Sequence, residues 1–147
     1  MKLAKALKEK NKLVGEIQKL KNLIQSKNSY NVAQPMNYDT HELLLQLGNK
    51  VDKLISLKTT ITFANAKIQS KIFALSEAKS FLQFLSSVST TEGEINERGY
   101  GSTIAQEFKA QIKELEIDEL KKRYEIQIET LQDELDAHNA TTEIDFE

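Results

Sequence analysis

The chain contains no cysteine and no tryptophan, one proline and five glycines in 147 residues. Without cysteine there is no disulfide framework, no zinc-thiolate or iron–sulfur site and no thiol nucleophile. So little glycine and proline leaves too few turn formers for an all-β fold. Long apolar runs are also missing. Leu43, Leu44 and Leu45 form the longest run of leucine, far below the ~20 apolar residues that a membrane-spanning helix needs. The opening MKLAKALKEKNK returns to lysine every two or three positions, which is not the pattern of a signal peptide. These features set the expectation of a cytoplasmic chain without a transmembrane segment.

What is present is 39% hydrophobic and 29% charged residues with a formal charge of −2, too apolar for a disordered chain and of a length for one domain, 1–147. Leu3, Ala6, Lys10, Leu13, Ile17, Leu20 and Ile24 recur at 3,4 spacing, predicting an amphipathic helix over 2–27. A polar stretch around Pro35 then makes a loop. Asp39, with Glu42 three positions on, has the form of a capping box and starts the next helix.

A second stripe runs Leu44, Leu47, Val51, Leu54, Lys58, Ile61, Asn65, Ile68, Ile72, Leu75, Lys79, Leu82. Its unbroken spacing favours a single helix of about 45 residues with Asn65 as a polar core position. Local propensity favours a stop instead, because Thr59-Thr60-Ile61-Thr62-Phe63 is β-branched and aromatic and leads into Asn65. Residues 86–103 hold three of the five glycines and no helical stripe. They read as a long loop that is mobile, functional or built around a short hairpin. Thr103 with Gln106 offers a cap for a last helix ending near His138, with Asn139 as its stop. At about 100° per residue, Ile104, Phe108, Ile112 and Leu115 share one face, while Ile117, Leu120, Tyr124, Ile128, Leu131 and Leu135 lie nearly opposite. A helix with that phase change must kink or change partner near 115–117.

Charge is unevenly spread. Residues 1–27 carry eight lysines against two glutamates, and residues 114–147 carry twelve acidic against three basic side chains. Such flanks favour laying the first helix beside the last. The lysine-rich first helix could also bind an anion or nucleic acid, but it has no arginine and no aromatic to stack a base, so a solvated face is the simpler reading.

Neither His41 nor His138 sits in a Glu-x-x-His or His-x-x-x-His pair. Glu134 and His138, one turn apart, could make a weak metal pair, although a histidine at a helix C-terminus accounts for them more simply. Gly99-Tyr100-Gly101-Ser102 lacks the strand before it and the Gly-Lys-Ser/Thr ending of a phosphate loop. No catalytic, cofactor or metal constellation stands out, and no small-molecule substrate is implied. The phenylalanines say more. Phe73 and Phe84 lie along the edge of a wide stripe formed by Ala74, Leu75, Ala78, Phe81, Leu82 and Leu85, broader than one neighbour covers. That pattern fits either a bundle interior or a subunit interface. A homo-oligomer is expected, with Phe73 and Phe84 at the interface, or alternatively Phe108 and Ile112.

Three stretches together resemble the septicolysin-like family of small, mostly uncharacterised bacterial helical proteins. The first is Met1-Lys2-Leu3-Ala4-Lys5-Ala6-Leu7. The second joins Ile61-Thr62-Phe63-Ala64-Asn65 to Ser70-Lys71-Ile72-Phe73-Ala74-Leu75-Ser76-Glu77-Ala78. The third is Leu131-Gln132-Asp133-Glu134-Leu135-Asp136-Ala137-His138-Asn139-Ala140-Thr141-Thr142-Glu143-Ile144. Ala140 stands where that family usually has tryptophan, and Ser70 where it has glycine. The resemblance implies a turn near 64–71, and the family name implies a membrane-lytic activity. The expected architecture is thus all-α, an antiparallel bundle or coiled-coil hairpins of four main helices near 2–27, 39–64, 71–88 and 103–138. Its expected role is that of a non-enzymatic, self-assembling module.

Overall fold

The structure is a computed structural model describing residues 1–99 and 102–146. It is mostly helical, with one small sheet: α1 (Leu3–Lys27), α2 (Thr40–Asn65), a 3-10 turn (Ala66–Ile68), α3 (Gln69–Ser87), β1 (Gly93–Gly99), β2 (Ser102–Phe108) and α4 (Glu114–Thr141). The chain divides into two compact units, Met1–Gln69 with Asp136–Glu147, and Ser70–Leu135.

In the first unit α1 and α2 form an antiparallel pair. Glu9 lies 3.9 Å from Lys53 and Glu16 2.6 Å from Lys50, so positions advance along one helix as they recede along the other. Asp39 caps α2 as its spacing predicts: Oδ1 accepts from the backbone N–H groups of His41 and Glu42 at 3.1 and 3.3 Å. The core between the helices holds Leu3, Ala6, Leu13, Leu57 and Ile61. Ile144, from the far end of the chain, fills it further.

Three backbone hydrogen bonds hold Ile144 there. The Met1 nitrogen donates to the Ile144 carbonyl at 2.7 Å, the Ile144 N–H to the Met1 carbonyl at 2.8 Å, and the Leu3 N–H to the Thr142 carbonyl at 2.9 Å. Lys2 and Glu143 form the β-bridge between them and an ion pair of 2.8 Å. The charge asymmetry of the sequence meets at this junction, while the helix paired with α1 is α2.

Three expectations from the sequence need correction. The turn expected at 64–71 is helical, with Asn65, Ala66 and Gln69 all in the right-handed region and only Ala66–Ile68 tightened to 3-10 form. The β-branched run before it stays helical with Ile61 buried in the core of the first unit, and its hydroxyls bond back one turn: Thr59 to the Ile55 carbonyl, Thr60 to Ser56 and Thr62 to Lys58, at 2.9, 3.1 and 2.9 Å. Next, the last helix begins at Glu114, not 103, because Ser102–Phe108 pairs with Gly93–Gly99 as an antiparallel hairpin. The apparent phase change near 115–117 is therefore the boundary between strand periodicity and helix periodicity. Finally, Asn139 does not stop α4. The helix runs to Thr141, where Thr142 donates to the His138 carbonyl at 2.9 Å and leaves for the bridge with residues 1–3.

The second unit pairs α3 with the 114–135 part of α4, again antiparallel, through Lys71–Glu134 at 2.8 Å and Phe81–Tyr124. The hairpin lies between the two helices in sequence. Gly93 enters it at φ +94, a left-handed conformation suited to glycine, and Glu92 pairs with Lys113 across its base.

Ile144 carries a core contact held by only a short bridge. Ile144→Ala is expected to destabilise the protein by about 2–5 kcal/mol in denaturant unfolding, the usual cost of emptying a buried aliphatic site. An exposed isoleucine control, Ile126→Ala, should change it by less than about 0.5 kcal/mol.

Candidate assembly surfaces

The residues that the sequence nominates for an interface are all accessible. Phe73 and Phe84 are 62% and 56% exposed, Phe108 and Ile112 38% and 47%. Helical periodicity places them. On α3 the buried Leu75, Ala78 and Leu85 mark the covered side, and Phe73 and Phe84 lie beyond its edge. Phe81 stands at the margin, its ring centroid 4.8 Å from that of Tyr124 on α4 and 5.6 Å from that of Phe84. This row of rings carries the aromatic contact from the helix pair out to solvent. The backbone brings Phe108 and Ile112 to a different setting from the one expected. Phe108 ends β2 and Ile112 lies between β2 and α4, so neither belongs to the last helix. On the hairpin, alternation puts Ile95, Ile104 and Phe108 on one face.

The polar candidates are engaged elsewhere or lie apart. The Glu134 carboxylate pairs with Lys71, while His138 Nδ1 lies 3.2 Å from the Thr142 hydroxyl. Asn65 does take a polar place inside the first unit, its Oδ1 buried without a hydrogen-bond partner. Residues 100 and 101 of the glycine-containing loop lie outside the described residues.

A second exposed apolar face appears that the sequence stripe did not nominate. Leu45, Ile55 and Phe63 on α2 face away from the Leu57 and Ile61 side, and Leu44, which opens the stripe, is exposed with them instead of buried. Its signals in the sequence are a leucine run longer than the stripe requires and a glycine inside a helix, Gly48. On the α1 side of α2, ion pairs fix Lys50 and Lys53. The Glu16 carboxyl is held below its ordinary value of 4.5, first by the Lys50 hydrogen bond and then by the charges of Lys50, Lys12 and Lys19. Glu143 is lowered from the same value by its hydrogen bond from Lys2 and that residue's charge.

No known protein family matches the chain, and no curated protein or solved structure matches it.

Both carboxyls have folded-state values below their ordinary one, so their stabilisation is present above pH 4.5 and is lost as pH falls through and below it. Melting temperature should hold level from neutral pH down to about 5 and then decline. Glu16→Gln and Glu143→Gln together should lower the neutral plateau and reduce the acid decline. An unchanged acid profile in that double variant would show that these pairs contribute nothing.

Proposed function

We propose that this chain is a non-enzymatic, self-assembling helical module whose working surface is the Phe73/Phe84 edge of α3. The observation that carries this reading is the exposure of two large aromatic side chains on a helix whose other side is already packed against α4. Soluble chains rarely leave large apolar patches in water, phenylalanine is enriched where subunits meet, and Phe81, itself 42% exposed, adds to the Phe84 end of this surface at a ring separation of 5.6 Å. A second copy supplies a ready cover. Two α3–α4 pairs, placed edge to edge, make an antiparallel bundle of four helices around these rings. Phe108 and Ile112 supply the alternative contact, through the apolar face of the hairpin. A two-stranded hairpin is marginal alone and gains from being packed against another surface.

Light scattering and circular dichroism of Phe73→Ser/Phe84→Ser test the assignment. Assembly mass is expected to fall below that of the wild-type protein, with most helicity retained. Wild-type protein that is monomeric at micromolar concentration overturns self-assembly altogether. A double variant that loses helicity while its assembly mass is unchanged assigns the two rings to packing within the chain and overturns the edge as the contact. Loss of assembly in Phe108→Ser/Ile112→Ser alone would transfer the contact to the hairpin.

A further inference from the structure

While Leu57 and Ile61 turn one side of α2 into the core, the other side presents His41, Leu45, Gly48, Asp52 and Ile55, all exposed. The steps between them are four, three, four and three residues, the alternation by which one helix meets another along a seam. Leu45 is 67% exposed and Ile55 57%. At the centre stands Gly48, in helical backbone, with nothing within 4 Å of where a Cβ would project. No contact inside the unit requires glycine there, and glycine weakens a helix interior relative to alanine. The His41 ring and the Asp52 carboxylate have no partner among the described residues of the chain. The nearest lysines, Lys50 and Lys53, are held by Glu16 and Glu9.

We propose that this seam docks α2 of a second copy of the chain, running antiparallel about a two-fold axis between Gln46 and Leu47. The assignment rests on the self-assembly reading but names a separate surface. In this register Leu45 of each copy enters the gap above Gly48 of the other, and His41 of each faces Asp52 of the other. Both contacts recur by symmetry, as an isologous interface requires. A bulky side chain meets a missing one, and an imidazole meets a carboxylate. The parallel alternative sets Leu45 on Leu45, Gly48 on Gly48 and Asp52 on Asp52, which leaves a void and opposes like charges.

Complementary charge variants test the register by sedimentation of the full chain. His41→Asp sets a carboxylate against Asp52, and Asp52→Lys takes the acceptor from His41. Each alone should raise the dissociation constant of this contact on the order of tenfold. An equimolar mixture should recover it, because the new carboxylate of one chain then meets the new ammonium of the other. Gly48→Leu, which fills the gap, should weaken association without loss of helicity, whereas Gly15→Ala on α1 should leave it unchanged. Recovery in the mixture, with loss in Gly48→Leu, supports the seam. If these variants associate like wild type while Phe73→Ser/Phe84→Ser does not, the seam is refuted and self-assembly stands. If the mixture stays as weak as its components, the antiparallel register is refuted. A wild-type chain that is monomeric throughout refutes both.

Discussion

The first unit depends on shutting one end of a two-helix pair. Two helices alone bury a single stripe each, and here that stripe centres on Leu3 and Leu57, both wholly removed from water. Their burial needs a third layer, which Ile144 and the half-buried Phe146 provide. The backbone bonds between Met1–Leu3 and Thr142–Ile144 hold that layer in place. Their energetic role is mainly positional: each bond has a modest net worth, but together they decide whether two large apolar side chains have something to lie against.

The second unit manages burial differently. Its fully covered positions are few and spaced out, Leu75, Ala78 and Leu85 on α3 and Ile117 and Leu135 on α4. Aromatic rings bridge the gap instead, with Phe81 against Tyr124. Rings of this size leave part of their surface uncovered unless neighbours are close on every side. The exposed Phe73 and Phe84 continue that shortage to the edge of the helix. Between the helices, the directly opposed Glu94 and Glu107 add like charges across the hairpin.

Much of the helical framework was legible in the sequence because apolar spacing reports burial directly. The α1 stripe and the Asp39 cap located their elements to within a residue or two. The run Thr59–Phe63 misled for a physical reason. Intrinsic propensity counts the rotamer cost of threonine but not the tertiary burial of Ile61 in the same turn. A short hairpin is among the readings of 86–103, but its second strand reads as helix because Ile104, Phe108, Ile112 and Leu115 happen to lie at helical intervals, although Ile95 opposite Gln106 and Glu97 opposite Ile104 obey the two-residue period of a strand. Of the surfaces, the Phe73 and Phe84 edge was readable from the width of its stripe. The outer face of α2 was not, since Leu44 and Leu45 merge with the inner stripe in one dimension and separate only when the helix is drawn around its axis.

The first unit is assembled from two stretches separated by the whole of the second. A ribosome delivers α1 and α2 well before Ile144, so the nascent pair must wait, its Leu3 and Leu57 site unsealed, through the synthesis of the second unit. Closure then joins positions more than a hundred residues apart, a contact of high order that slows the final folding step compared with zipping α1 onto α2. During that wait the half-made core is a greasy cleft in a crowded cell, and its protection is the business of whatever meets the chain as it emerges.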